Sequence, residues 1–255
     1  MQVTGSKSLT GYRLSIRFGA DGFSFSVLNT LDSSVVQTDQ FPVSEPAEEG
    51  EVLRQALRKP YLMDYRFQSV ELVADTPATI IPMEHFSKSD MLAYYRLCFP
   101  SMSNAQRSMA NGQWSMADMQ YQMLSSHEAV MIFCLDQDIL SIVQECYPDV
   151  KVCCTDAQQL ENFAAIHAKR PAPEDVQQCD VYLHVAPHRF FLAVFLRNRL
   201  LYACSQAADN DSDRTFLLLG IWKALDMHAQ RDVCHLEGAS KELQKTLSEY
   251  LLNID

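Results

Sequence analysis

The sequence predicts an α/β protein in which a β-β-β-α-β-α unit occurs twice, with further strands and helices inserted between the copies. Three observations predict it. Near the start, "YRLSIRFGADGFSFSVL" reads as strand, tight turn, strand. In the last third, "VYLHVAPHRFFLAVFLRNRLLYA" reads the same way. Each meander is then followed by helix, strand and helix patterns in the same order, which is the signature of an internally repeated unit.

The first copy begins with alternation. Tyr12, Leu14, Ile16 and Phe18 fall on one face and Arg13, Ser15 and Arg17 on the other, the period of a strand with one buried side. "GADG" turns the chain, since Gly19 and Gly22 accept positive φ and Asp21 can bond to its own backbone. "FSFSVLN" runs back, "LDSS" turns again, and a third strand occupies residues 35–41. Past the proline-bearing loop "FPVSEPAEEG", Val52, Leu53, Ala56 and Leu57 recur at helical spacing until Pro60 ends the pattern. "SVELVAD" is the fourth strand. "TPATIIPMEHF" reads as a punctuated connection into a helix over "SKSDMLAYYRLCF", opened by a serine or aspartate cap.

The middle starts with a polar, methionine-rich loop. It continues as strand 119–124, strand 129–135, helix 138–147, strand 150–154 and helix 157–168, closed by the linker-like "RPAPED". The second copy has strands over "VYLHVAP", "HRFFLAVFLR" and "RLLYACSQ", the middle one apolar enough for a sheet centre. In "RTFLLLGIWKALDMHAQ" the expected apolar helix face is Phe216, Leu217, Gly220, Ile221, Ala224 and Leu225. "DVCHLEG" is a strand and "SKELQKTLSEYLLNI" a capped amphipathic helix. The expected division is therefore 1–100 for the first half, 101–170 for the insertion completing it, and 171–255 for the second half.

Composition narrows the function. With 47% hydrophobic and 21% charged residues the chain is an ordinary folded protein. Its formal charge of −11 repels phosphate backbones and anionic lipid, so nucleic acid is not an expected partner. "MQVTGSKSLTGYR" has no signal-peptide pattern, and runs such as "FFLAVFL" fall far short of the ~20 apolar residues of a membrane span. The eight cysteines show no C-x-x-C and no zinc spacing, which points to buried free thiols and a cytoplasmic location rather than metal or disulfides.

A repeated β-β-β-α-β-α order with elements between the copies resembles the actin-like ATPase fold, whose two ribonuclease-H-like halves enclose a nucleotide cleft. The middle section is most similar to actin-like proteins of type IV pilus and type II secretion assembly. In detail, "LSIRFGADGFSFSV", "TIIPMEHF" and "CDVYLHVAPHRFFLAVF" resemble a Bacteroidetes family of unknown function assigned this fold. The resemblance implies where nucleotide would be held. In active members the first strand ends in Asp-x-Gly, the carboxylate holding a metal-bound water and the glycine admitting phosphate to the turn amides. This chain keeps Gly19 but carries Arg17 at the acidic position. The second hairpin carries His184 at the acidic position, Ala186 at the glycine and Pro187, which has no amide donor. The adenosine loop reads "LEGAS", with Gly238 kept and Ala239 in place of its partner.

These departures lead to an expected non-catalytic interaction or scaffold protein of actin-like fold, with no cofactor, no metal and an unidentified protein partner. The alternative is a nucleotide-binding protein with an atypical site and weak ATPase activity, requiring ATP and magnesium. In either case the candidate ligand positions are Arg17, Gly19, His184, Arg189 and Gly238; a third possibility has Arg17, His184 and Arg189 reading an acidic metabolite. The plainer expectation is that Arg17 pairs with a carboxylate and His184 is a hydrogen-bonded strand residue. A metal-dependent nuclease needs converging carboxylates that the first strand lacks. "HEAVM" begins like a zinc-protease motif but has no second histidine, and no G-x-S-x-G occurs. Met109, Trp114 and Met116 are the candidate partner-binding residues, because methionines adapt to irregular surfaces beside an indole. Met119 and Met123 read as core-facing strand positions.

Overall fold

A computed structural model describes residues 11–32, 34–63, 67–99, 114–171, 175 and 177–255. Along the chain come β1 (Tyr12–Gly19), β2 (Gly22–Asn29), β3 (Val35–Pro42), α1 (Glu49–Leu57), the single turn α2 (Pro60–Met63), β4 (Ser69–Ala74), β5 (Ala78–Pro82) and α3 (Met91–Cys98). They are followed by β6 (Met119–Leu124), β7 (Ala129–Cys134), α4 (Gln137–Cys146), β8 (Lys151–Cys154) and α5 (Thr155–His167). The last part contains β9 (Cys179–Ala186), β10 (Arg189–Leu196), β11 (Arg199–Ala207), α6 (Asp211–Ala224), β12 (Val233–Glu237) and α7 (Lys241–Ser248). Two compact units result: residues 1–76, 87–122 and 132–155, and residues 77–86, 123–131 and 156–255.

The sheet of the first unit has the order β3-β2-β1-β4-β8, with β1 antiparallel to β2 and parallel to β4. The sheet of the second has the order β11-β10-β9-β12, with β9 antiparallel to β10 and parallel to β12. A parallel bridge from Cys234 to Ile254 adds a stub of a fifth strand beside β12, the place β8 holds beside β4. The same strand order thus recurs in both halves. A third sheet has the order β5-β7-β6.

Burial follows the alternation read from the sequence. Leu14, Ile16 and Phe18 of β1 and Phe23, Phe25 and Val27 of β2 are buried. The long apolar run of β10 is explained by cover on both faces. Phe190, Leu192 and Val194 join a core with Leu218 and Trp222 of α6 and Leu243 and Leu247 of α7. On the other face Phe191 stacks on Phe163, and Phe195 on His167, both from α5.

Five expectations are corrected. Residues 78–82 form a strand, not a plain connection; it is a sheet edge bounded by Pro77 and Pro82, where a missing N–H is tolerated. Neither Ser87 nor Asp90 caps α3, whose entry is a 3-10 turn at Lys88–Asp90, and the Ser87 hydroxyl meets that of Ser89 instead. α6 buries Arg214, Thr215, Leu218 and Trp222, leaving Phe216 78% exposed. α7 is capped by Ser240 as expected but ends at Ser248, because the following residues return to pair with β12. None of the eight cysteines is in a disulfide, but Cys98 and Cys146 are exposed and Cys153 and Cys204 only partly covered.

Candidate functional site

The two hairpin turns are the places where the sequence located ligand chemistry. Their registers end alike, in the facing pairs Gly19 with Gly22 and Ala186 with Arg189. Counting back from each turn therefore puts Arg17 and His184 at equivalent positions, and Gly19 and Ala186 likewise.

In the first unit, the β1–β2 corner is shaped by backbone proximity. Gly22 has φ +108°, and a Cβ there would lie 2.4 Å from the Phe41 carbonyl oxygen, so no other residue fits as β3 passes. The Arg17 guanidinium donates to the carboxylate of Asp75, which stands just past the end of β4 and whose N–H donates to the Phe18 carbonyl. The same Asp75 covers Gly19: a Cβ on that glycine would come within 3.2 Å of its side chain. Arg17 is half exposed and Asp75 largely covered.

In the second unit, the β9–β10 corner is more heavily engaged. His184 faces Glu237 across the β9–β12 ladder, its Nδ1 3.4 Å from the carboxylate, and Gln159 of α5 donates to the same oxygen at 2.5 Å. Arg189 donates to Asp156 at 2.5 Å and to the Ser205 hydroxyl at 3.0 Å. This pair is enclosed, with side chains 12% and 2% exposed. Arg214 of α6 reaches the turn itself, donating to the carbonyls of Ala186 at 3.0 Å and Pro187 at 2.7 Å. Its other arm donates to Asp211 at 2.7 Å, and Asp211 also accepts from Ser240, the cap of α7, at 2.6 Å. Those two donors hold the Asp211 carboxyl below the ordinary carboxylate range. His188 lies 3.0 Å from Asp209. Gly238 has φ +74°, and a Cβ there would stand 2.6 Å from the Val185 carbonyl, so this glycine serves close backbone packing against β9.

The arrangement has a definite electrostatic sense. Each basic side chain at a corner already faces a carboxylate of its own unit: Arg17 and Asp75, His184 and Glu237, His188 and Asp209, Arg189 and Asp156, Arg214 and Asp211. Among the described residues no group of three or more His, Cys, Asp or Glu is arranged to hold a metal ion.

His184, Arg189 and Gly238 thus lie at the second corner, and Arg17 and Gly19 at the first. Sequence reasoning missed Asp75, Asp156, Asp211, Arg214 and Glu237. Only Asp75 and Glu237 carried a signal, each standing at or just past the end of a strand parallel to a hairpin strand. Of the partner-binding candidates, Met109 lies outside the described residues. Met116 is 41% exposed at a 3-10 turn capped by Ser115, and the Trp114 carbonyl accepts from Arg96 at 3.2 Å. Met119 is buried as expected, whereas Met123 is 46% exposed.

Comparison with known proteins places this geometry. No curated protein matches the chain. Among solved structures, a Bacteroides thetaiotaomicron protein described as having an actin-like ATPase fold and unknown function is similar over all of this chain and 93% of its own, with 23% identity and a TM-score of 0.77. The PilM–PilN type IV pilus biogenesis complex is similar over 95% of this chain and 87% of its own, with 12% identity and a TM-score of 0.50. The fold is therefore the actin-like ATPase fold, with duplicated ribonuclease-H-like halves and a strand-helix insertion. Because the family described as "Protein of unknown function (DUF3822)" matches residues 4–254, the chain belongs to that family.

Proposed function

We propose that this chain is a non-catalytic interaction protein of actin-like fold, whose phosphate-holding corners have been closed from within. One observation carries the reading: each basic side chain at the two hairpin turns faces a carboxylate of its own unit. Phosphoryl transfer depends on cations and a bound metal neutralising charge on the moving phosphate. Guanidiniums already paired with Asp75 and Asp156 offer a phosphate little, and Arg17 cannot take the role of a metal-binding aspartate. At the second turn, Pro187 has no N–H to offer a phosphate oxygen. The neighbour solved as PilM–PilN supplies a precedent for an actin-like fold engaged with another protein. Partly exposed Met116, two residues after Trp114, fits the same role.

The alternative, an atypical nucleotide site with slow hydrolysis, is favoured by one feature: Arg17 is 52% exposed despite its pairing. Titration calorimetry with Mg·ATP separates the two. The expected result is no binding tighter than ~100 μM, roughly 5.5 kcal/mol. Tighter binding that weakens in Arg17→Ala or His184→Ala would establish the alternative. An affinity capture from native cells, compared with a chain lacking residues 101–117, tests the methionine-rich segment as the partner surface.

A further inference from the structure

Residues 249–255 leave α7 and fold back along β12. The Cys234 N–H donates to the Asn253 carbonyl, the Asp255 N–H to the Cys234 carbonyl and the Leu236 N–H to the Asp255 carbonyl, at 2.9, 2.9 and 3.0 Å. The Asp255 carboxylate lies 3.2 Å from His235 Nδ1 and 3.3 Å from Arg170, which fastens the stub to the sheet. Since peptide groups alternate along a strand, the N–H and C=O of Ile254 point to the opposite, outer edge. Among the described residues they have no hydrogen-bond partner.

Beside this edge lies an open groove of about 410 Å³, bounded by Lys241, Lys245 and Ser248 of α7 and by Leu251, Leu252 and Ile254. Leu252 is 69% exposed. Two lysines and no carboxylate line the groove, although the chain as a whole carries a formal charge of −11. An unpaired strand edge, an apolar floor and a locally positive wall are the three components of strand-addition recognition with a charge preference.

We propose that this groove receives an extended, acidic segment of a protein partner. Its main chain pairs with Ile254, one apolar side chain rests on Leu252, and its carboxylates face Lys241 and Lys245. The proposal deepens the reading of the chain as an interaction protein and rests on it. A failure of that reading would be seen in Mg·ATP calorimetry, whereas a failure of the groove would be seen in peptide binding, so the two are distinguishable.

The probe is a fluorescent peptide alternating glutamate with valine or leucine, titrated into the full chain and followed by anisotropy and by amide shifts of Ile254 and Leu252. Binding that shifts those amides, weakens with added salt and falls about tenfold in the double variant Lys241→Glu/Lys245→Glu is the expected result. Both lysines are exposed, so the variant should keep the fold, which its circular dichroism checks. Three outcomes would overturn the proposal: no binding up to ~1 mM, equal binding of the variant or of a lysine-for-glutamate peptide, or equal binding of an oligothymidylate of the same charge.

Discussion

Arg189 and Asp156 meet almost out of contact with water. Removing one partner of such a pair strands a buried charge, whereas replacing both with apolar side chains of similar size is close to neutral. Asp156→Leu should therefore lower the unfolding free energy by about 3–5 kcal/mol, and adding Arg189→Met should restore most of it. Urea denaturation checks this, and a double variant no more stable than the single one would sink it. Asp211 makes a different test. Its carboxyl is held below its ordinary 3.8 first by the Ser240 hydroxyl and then by Arg214. A carboxyl depressed in the folded state contributes stability above its unfolded pKa and loses it as pH falls through the folded one. Stability should thus decline below about pH 4 more steeply in the wild type than in Asp211→Asn; parallel curves would remove Asp211 from the account. At this scale the sequence was half legible. It marked Arg17 and His184 as side chains that ordinarily find a polar partner. It could not name Asp75, 58 residues from Arg17, because only strand register brings them together.

Secondary structure was read well where one periodicity dominated. β1, β2, α1 and α4 each have apolar residues at a single spacing, and each formed close to where that spacing put it. α6 shows why a helix can be found while its face is lost. "FLLLGIW" is apolar nearly all the way round, so its periodicity marks a side only weakly, and of the expected face Leu217 and Ile221 pack against the core. The rotation follows instead from Asn210 capping Asp213, from Arg214 reaching the turn carbonyls and from Trp222 in the core. The consequence is measurable. Leu218→Ala should cost about 2–5 kcal/mol, while Phe216→Ser should stay within about 0.5 kcal/mol. The reverse order in thermal or urea unfolding would restore the face that the periodicity suggested. β5 was hidden for another reason: it is five residues long and flanked by prolines, so its pairing with β7 outweighs a local pattern that reads as a loop.

Across the whole molecule, two sheets share the order of a meander followed by a parallel fourth strand, and each gains a fifth position beyond it. In the first this is β8, which lies far along the chain after the inserted strands; in the second it is the stub at residues 253–255. The compact units are correspondingly discontinuous in sequence. By itself the sequence determined the repeated order of elements and the turn positions, because these are local properties of neighbouring residues. Only the tertiary structure decided which carboxylate faces each basic side chain, which side of α6 is buried and which residues come to lie beside Lys241 and Lys245. Those outcomes depend on register and helix rotation, which contacts between distant parts of the chain select and no local pattern encodes.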